Sequence, residues 1–256
     1  MVKLKEITAF LESAVPLDLQ DSWDNSGLQV GWEEQEVEVV GFALSVSRTV
    51  LSEALREKVD LLITHHPVTI SGVKSLVPFK YPNNLFLELA KKGVAVYSLH
   101  TNLDVSPLGP TAIIADELGL LDRVPIVTSP PYGSLGTLPT PLSQRELFFK
   151  LSEILEKDVY RVVGFKPENV VKKVAICSGS GASFIDLVAG KADVYVTGDV
   201  KYHDALKSID LGLTLFDMGH FGTERLFYRK LKELLAKAFP SLKFKLLCEK
   251  SPFEVV

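Results

Sequence analysis

Two adjacent histidines end an apolar stretch, LLITHHP, at residues 61–67 of this 256-residue chain. Pro67 cannot donate to a strand ladder and restricts the residue before it, so we expect the strand to end at the pair. Neighbours on a regular strand face opposite ways, but both imidazoles can turn toward one point where a strand becomes a loop. His65 and His66 could therefore bind a metal ion together. A pair that serves packing and capping is the alternative.

Two further segments place histidines and carboxylates where a strand ends and a helix begins. SLHTNLD offers His100 and Asp104, and DMGHFGTE offers His220 and Glu224. Residues four apart lie on one face of a helix, so His220 and Glu224 can aim at one point. Imidazole and carboxylate are suitable ligands for a divalent metal ion. For Glu224 alone, the alternative is a solvated acid near a helix N-terminus.

Five of these residues form the candidate ligand set. Four-coordinate zinc would use only part of it, whereas two metal ions bridged by one carboxylate would use all of it. Asp104 is our candidate for the bridge. Zinc, iron and manganese all accept such ligands, so the sequence leaves the metal open. The predicted metal ligands are His65, His66, Asp104, His220 and Glu224.

Other polar residues near these segments are candidates for supporting roles. His100 and His203 could transfer protons or contact a substrate, because histidine titrates near neutral pH; a structural hydrogen bond is the alternative for each. Asn25 and Asp199 could orient metal ligands or simply cap turns. The glycine-rich turn CSGSGAS (177–183) could bind an anion through backbone N–H groups, although it lacks the full P-loop and dinucleotide-binding patterns.

The elements that position these residues alternate between apolar strands and helices. Continuous apolar runs separated by helices predict parallel strands covered on both faces. The pattern FALSV, helix, VDLLITHH resembles VAICS, helix, ADVYVTGD, which indicates an internal duplication. We therefore expect an α/β fold of two similar units with mainly parallel sheets and the metal site in the cleft between them. The predicted strands are 39–46, 61–64, 94–100, 171–177, 193–198 and 213–219, and the predicted helices are 3–14, 48–57, 83–92, 147–155, 182–189 and 221–238.

A segment rich in Pro, Gly, Ser and Thr, residues 125–142, predicts a connection between two halves with room for a short edge strand. We place the N-terminal α/β half at 1–124 and the C-terminal α/β half at 125–256. A strand or helix that crosses over would make both discontinuous. Ser143 and Glu146 form an S-x-x-E capping box that begins the next helix.

Composition narrows the class of protein. The chain is 46% hydrophobic and 23% charged, which is ordinary for a folded protein, and its net charge of −4 argues against nucleic-acid binding. Cys177 and Cys248 match no paired spacing, so we expect reduced thiols. The sequence shows neither a signal peptide nor an apolar run long enough for a membrane span. We expect a soluble cytoplasmic protein with no membrane partner.

Five blocks resemble the signature blocks of a known family, type-2 GTP cyclohydrolase I, also called the NGG-interacting-factor-three-like family. They follow in the family's order across residues 22–225, and the doubled histidine, GHFGTE and WDNSGLQVG are the specific ones. The resemblance implies an α/β protein that binds two metal ions through the same five ligands and assembles as a hexameric ring. The blocks are SWDNSGLQVG, LLITHHPV, SLHTNLD, VTGDVKYHDA and DMGHFGTER.

The resemblance also implies an activity, with one departure. A metal-activated water would open the imidazole ring of a guanine nucleotide and formate would leave, so we expect a small-molecule, nucleotide-class substrate. Ser45, in ALSVS, stands where the family often carries an aspartate. This departure favours the alternative function, a metal-binding scaffold or partner-binding protein without catalysis. A concave substrate pocket beside the metals would distinguish the two.

Overall fold

The computed structural model describes residues 1–255, which form two compact units. Each unit is discontinuous in sequence, because the chain leaves the first unit after Ser106 and returns to it at Phe227. The predicted halves, 1–124 and 125–256, stay a prediction. Unit 1 comprises Met1–Ser106 and Phe227–Glu249, and unit 2 comprises Pro107–Leu226 and the segment that begins at Lys250.

Strands and helices alternate through most of the described chain. The strands are β1 (Val2–Lys3), β2 (Gly27–Val30), β3 (Glu36–Val37), β4 (Val39–Ala43), β5 (Leu61–Thr64), β6 (Ala95–Ser98), β7 (Leu121–Val124), β8 (Ser134–Ser143), β9 (Arg161–Val163), β10 (Val170–Ile176), β11 (Val194–Thr197), β12 (Thr214–Asp217) and β13 (Lys243–Leu246). The α-helices are α1 (Leu4–Ala14), α2 (Arg48–Arg56), α3 (Asn83–Lys92), α4 (Thr101–Asp104), α5 (Pro110–Leu118), α6 (Gln144–Ile154), α7 (Ile185–Val188), α8 (Tyr202–Asp210), α9 (His220–Glu224) and α10 (Tyr228–Ala238).

Unit 1 is built on a five-stranded sheet in the spatial order β13, β4, β5, β6, β2. The first four strands run parallel, and β2 pairs antiparallel with β6. Every residue of β5 and β6 is buried, which explains why their sequences read as continuous apolar runs. Because β5 and β6 are neighbours and parallel, their carboxyl ends lie side by side.

Unit 2 is built on a six-stranded sheet in the spatial order β7, β8, β10, β11, β12, β9. Its three central strands, β10 to β12, run parallel, and the outer strands pair antiparallel. Alternate residues of β11 enter different clusters: Val194 and Val196 pack in one, and Tyr195 packs in the other. Both faces of this sheet are therefore covered, as in the α/β class.

The α/β class is confirmed, but the prediction of mainly parallel sheets is wrong, because the five-stranded and six-stranded sheets are mixed and β1 pairs antiparallel with β3. Two of the antiparallel strands come from segments that read as loops: β2 lies in the SWDNSGLQVGW stretch, and most of β8 lies in the Pro- and Gly-rich segment. The predicted internal duplication stays a prediction. The capping box at Ser143 and Glu146 is confirmed. Within residues 1–255, no helix is long and apolar enough to cross a membrane.

Candidate metal centre

His65 lies directly after β5, and its side chain is fully buried. Its Nδ1 is 2.7 Å from the carbonyl oxygen of Leu99. A carbonyl oxygen can only accept, so Nδ1 carries the hydrogen and, in the neutral ring, the lone pair lies on Nε2. That Nε2 is 3.5 Å from Oδ1 of Asp104. The ring therefore presents its lone-pair nitrogen toward a carboxylate.

His66 is oriented by the residue that departs from the family pattern. Its Nδ1 lies 2.7 Å from the hydroxyl oxygen of Ser45. The backbone N–H groups of Leu44 and Ser45 both donate to the Glu249 carboxylate, at 2.6 and 3.1 Å. Ser45 thus keeps a hydrogen-bonding oxygen beside His66, and Glu249 fixes the backbone that carries it.

His100 lies beyond the end of β6 and pairs with Asp24, whose side chain is fully buried. Oδ1 of Asp24 is 2.7 Å from Nδ1 of His100, while Thr101 and Ser26 donate to Oδ2. Burial alone would raise the pKa of Asp24, but the hydrogen bonds from His100 and Thr101 outweigh it and hold that pKa well below its usual range. The carboxylate is therefore ionised and accepts the Nδ1 hydrogen of His100.

Asp24 is a residue that the sequence analysis missed. The sequence pointed instead to its neighbour Asn25 as a residue that could orient metal ligands. The Asn25 side-chain amide donates to the carbonyl oxygen of Thr69 at 2.8 Å and so links two loops. Asp24 and His100 are in contact although they are 76 residues apart in the sequence. No local pattern reports such a contact, so only the folded chain reveals it.

The three imidazoles of unit 1 form one cluster. The ring centroids of His65 and His66 are 5.2 Å apart, and His100 lies 5.3 and 5.5 Å from them. One potential ligand nitrogen of each ring lies within 4.8 Å of the others. The single turn α4 carries Asp104, whose N–H donates to the His100 carbonyl oxygen at 3.0 Å. Unit 1 thus brings together four of the predicted site residues.

Unit 2 supplies the remaining predicted ligands from the short helix α9. Nε2 of His220 lies 2.8 Å from the Glu224 carboxylate, and Nδ1 lies 2.7 Å from the Asp199 carboxylate. Burial would lower the pKa of His220, but hydrogen bonds and charge attraction from Glu224 and Asp199 raise it to about 10. Asp199 adopts a left-handed backbone, with φ of 54°, which is uncommon for a residue with a side chain. The strained position holds its carboxylate against the ring.

The glycine-rich turn 177–183 packs against this helix. A side chain at Gly179 would overlap the Glu224 carboxylate, and one at Gly198 would press on the backbone N of His220 at 2.7 Å. Three N–H groups of the turn are bonded within the protein and are not available to an anion, while anion binding by the turn as a whole stays a prediction. Those N–H groups donate from Ser178 to Thr111, from Gly179 to Thr223, and from Gly181 to Thr197.

His203 lies apart from these contacts. It is exposed in the first turn of α8, and its ring packs against that of Tyr202 at 5.3 Å. Within the described part of the chain, no hydrogen bond or ion pair joins His203 to another candidate residue. Its predicted role in proton transfer stays a prediction.

Comparison with known proteins decides the family. The family model for Duf34/NIF3 (NGG1p interacting factor 3) matches residues 2–254. The chain belongs to the Duf34/NIF3 family. The resemblance seen in the five sequence blocks is thereby confirmed.

Two relatives and one solved structure show how far the likeness extends. A GTP cyclohydrolase 1 type 2 homolog of Campylobacter jejuni is 31% identical over 258 residues and covers 99% of each chain. A protein of the same name from Methanocaldococcus jannaschii is 34% identical over 241 residues, 92% of this chain and 95% of its own. The crystal structure of a Bacillus cereus protein related to NIF3 matches all of both chains with a TM-score of 0.89. At 22% identity, it shows that the Duf34/NIF3 fold is shared.

The donor sets of this Duf34/NIF3 protein suit a divalent metal ion. In unit 1 the donors are imidazoles whose Nδ1 atoms have hydrogen-bond partners, which leaves Nε2 as the nitrogen that could bind a metal ion. In unit 2 a buried carboxylate stands beside an imidazole on one helical turn. These His and Glu groups could hold a metal ion.

Proposed function

We propose that this protein is a divalent-metal-dependent hydrolase. The observation that carries the proposal is the orientation of the three predicted imidazole ligands, because each has an Nδ1 partner at 2.7 Å. A histidine that binds metal through Nε2 usually has such a partner, which fixes its tautomer and its direction. The partners are Leu99 for His65, Ser45 for His66 and Asp199 for His220.

The two predicted carboxylate ligands support the same conclusion. Asp104 faces the Nε2 atom of His65 at 3.5 Å, and the buried Glu224 faces that of His220 at 2.8 Å. A carboxylate and an imidazole lone pair repel each other unless a proton or a cation lies between them. A divalent ion satisfies both donors at once. In the proposed centre, two such ions would be held by His65, His66, Asp104, His220 and Glu224.

The substrate class that we propose is a guanine nucleotide. Its basis is the name GTP cyclohydrolase 1 type 2 homolog, which the two relatives carry. When bound, the metal ions would lower the pKa of a coordinated water and polarise the group under attack. Opening the imidazole ring of guanine in this way would release formate. Proton transfer by His100 or His203, a hexameric ring and a cytoplasmic location stay predictions.

The alternative function is a metal-binding scaffold without catalysis. It is favoured by the presence of Ser45 where the family often has an aspartate. In the structure the Ser45 hydroxyl contacts the ring of His66. The substitution therefore keeps an orienting partner at this ligand. This contact weakens the argument against catalysis.

The test combines metal content with a search for activity. Protein purified without chelator should carry about two divalent metal ions per chain, and His65→Ala and Glu224→Ala should each lose metal. The matched control is Glu168→Ala, which removes an exposed carboxylate from unit 2 and should keep full content. Release of formate from GTP would support the proposed substrate. Metal without turnover of GTP or of phosphoesters would contradict the hydrolase and leave the scaffold.

A further inference from the structure

An exposed tryptophan lies beside the imidazole cluster of unit 1. We propose that the indole of Trp23 is a stacking platform for the base of a purine nucleotide, which it holds next to His100. The inference rests on the proposed function, because it names where the guanine of the proposed substrate binds. It concerns the base alone and assigns no contact to the phosphates or to a metal ion.

The contact between Trp23 and His100 fixes the place of the indole. The two ring centroids are 6.0 Å apart and the ring planes are inclined by 81°, which is an edge-to-face arrangement. Such a contact covers at most one face of the indole and leaves the other face free of His100. Trp23 is 55% exposed, whereas the side chain of His100 is only 17% exposed. The indole therefore offers an accessible flat surface at the edge of a mostly buried histidine.

The residues before and after Trp23 are bonded to the same residue, Thr101. The backbone N–H of Asp21 donates to the Thr101 hydroxyl oxygen at 3.0 Å. The hydroxyl and the backbone N–H of Thr101 donate to the buried Asp24 carboxylate at 2.5 and 3.1 Å. The N–H of Asp24 donates in turn to the carbonyl oxygen of Asp21 at 2.9 Å and closes a turn around Trp23. The indole is thus carried by a preorganised turn, so little conformational entropy is lost when a ligand stacks on it.

Exposure alone does not select Trp23, because single exposed apolar side chains are common on protein surfaces. The other tryptophan of the chain, Trp32, is exposed to a similar extent, 57%. Trp32 follows the end of β2, and within the described residues no ring contact joins it to the imidazole cluster. The place beside His100 is what singles out Trp23, and Trp32 provides a matched control.

The chemistry of an indole selects the class of ligand. A purine offers a flat fused-ring face that matches an indole in size, and proteins commonly hold unpaired bases by stacking them on aromatic side chains. Stacking tolerates different bases, so Trp23 should favour purines over the smaller pyrimidines without distinguishing guanine from adenine. A base stacked there lies next to His100, the residue that is predicted to transfer protons.

The binding test uses the full chain and 7-deaza-GTP, whose base keeps both fused rings but has carbon in place of N7, so that water cannot open it. In Trp32→Phe, Trp23 is the remaining tryptophan, and 7-deaza-GTP should quench its fluorescence to a saturating limit. Calorimetry should show that Trp23→Ala weakens 7-deaza-GTP binding about tenfold, whereas Trp23→Phe keeps an aromatic face and most of the affinity. Trp32→Ala should bind as the wild-type protein does. Thermal unfolding shows which variants are folded, and the fluorescence measurement decides if Trp23→Ala is not.

Two further ligands separate the base from the phosphates. Inorganic triphosphate carries no base, so it should bind equally to the wild-type protein and to Trp23→Ala and should not quench Trp23. UTP carries a smaller base and should lose less affinity than 7-deaza-GTP does when Trp23 is replaced by alanine. A structural role of Trp23 in packing against His100 would not produce this dependence on the base.

Unchanged affinity of folded Trp23→Ala for 7-deaza-GTP would overturn the proposal, and so would Trp23 fluorescence that does not respond at saturating ligand. A wild-type protein that binds no 7-deaza-GTP would overturn it as well. Failure of the proposed function looks different. No release of formate from GTP, with Trp23-dependent binding intact, contradicts the hydrolase alone, whereas formate release with the same KM in the wild-type protein and in Trp23→Ala contradicts the stacking alone.

Discussion

The two units hold their candidate ligands in different ways. In unit 1 the rings are anchored at Nδ1 by a carbonyl, a hydroxyl and a carboxylate, which come from three separate segments. In unit 2 a single imidazole, that of His220, has a carboxylate at each nitrogen. Unit 1 therefore fixes the direction of its rings, whereas unit 2 holds an ion pair between His220 and its carboxylate partners. With its pKa raised to about 10, the His220 ring carries a proton on each nitrogen near neutral pH.

The largest effect that we expect from this difference is a proton released by unit 2. The pKa of His220 is raised to about 10, so at pH 8 the ring must lose a proton before it binds metal. Calorimetry of Zn²⁺ binding in buffers of different ionisation enthalpy should show one proton more for the wild-type protein than for His220→Gln. Equal proton counts would show that the ion pair does not hold this proton.

The same shift has a consequence for the metal-free protein. A pKa that is raised on folding stabilises the fold fully below the unfolded value of about 6.5, and the contribution is lost as the pH rises toward 10. Asp199→Asn removes one of the two carboxylates that raise the pKa. In that variant, the stabilising contribution of protonated His220 should be lost at a lower pH than in the wild-type protein.

The next effect tests the close packing of unit 2 around Glu224. Gly179→Ala should destabilise the protein by about 3 kcal/mol, because it adds left-handed strain to an overlap with the carboxylate. The control Gly190→Ala has the same kind of backbone, with φ of 74°, but nothing within 4 Å. It should cost only about 1 kcal/mol. Urea unfolding measures both, and equal losses would mean that the turn can move away from the helix.

A smaller effect tests the anchor of His100 in unit 1. Asp24→Asn should cost about 2 kcal/mol near neutral pH, because it weakens charge-assisted hydrogen bonds to a buried carboxylate. The pKa of Asp24 is lowered on folding, so its contribution is present above the unfolded value of about 3.8 and is lost as the pH falls further. The stability difference between wild type and variant should therefore shrink below about pH 4. A difference that stays constant down to pH 2 would argue against this assignment.

The smallest effect distinguishes, within unit 1, a residue that orients the His66 ring from a residue that stabilises the fold. Ser45→Ala removes the hydroxyl beside His66 and should lower metal affinity about tenfold with little change in stability. Ser47→Ala removes the N-cap of α2 and should do the reverse, with a loss of about 1 kcal/mol and unchanged affinity. Metal titration and urea unfolding on both variants give the comparison. If the two variants behave alike, Ser45 does not orient the ligand.

Elements governed by local signals could be predicted from the sequence. β5 and α3 have the predicted bounds, 61–64 and 83–92, because an apolar run and a helical period each show the element directly. The capping box at Ser143 needs only four residues to be recognised. The pairing of His220 with Glu224 could also be predicted from the local sequence, because a single helical turn sets their distance.

Elements that depend on distant partners could not be predicted. β8 reads as a linker because of Pro139 and Pro141, yet the pairing with β10 is interrupted between Val171 and Lys173, and both prolines fall in that bulge. The helix predicted over 221–238 is broken at the point where the chain passes from one unit to the other. Asp24 likewise gains its role from a partner far along the chain.

The return of the chain to unit 1 sets the order in which the protein can mature during synthesis. Unit 2 is almost continuous, whereas unit 1 is incomplete until β13, the strand beside β4, and Glu249, whose carboxylate holds Ser45, emerge from the ribosome. We therefore expect unit 2 to fold first and the imidazole cluster to reach its final form only after Glu249 has been synthesised. Protease protection of residues 1–106 in ribosome-bound chains should appear only when Glu249 has left the exit tunnel. Insertion of the metal would then have to wait for the synthesis of Glu249.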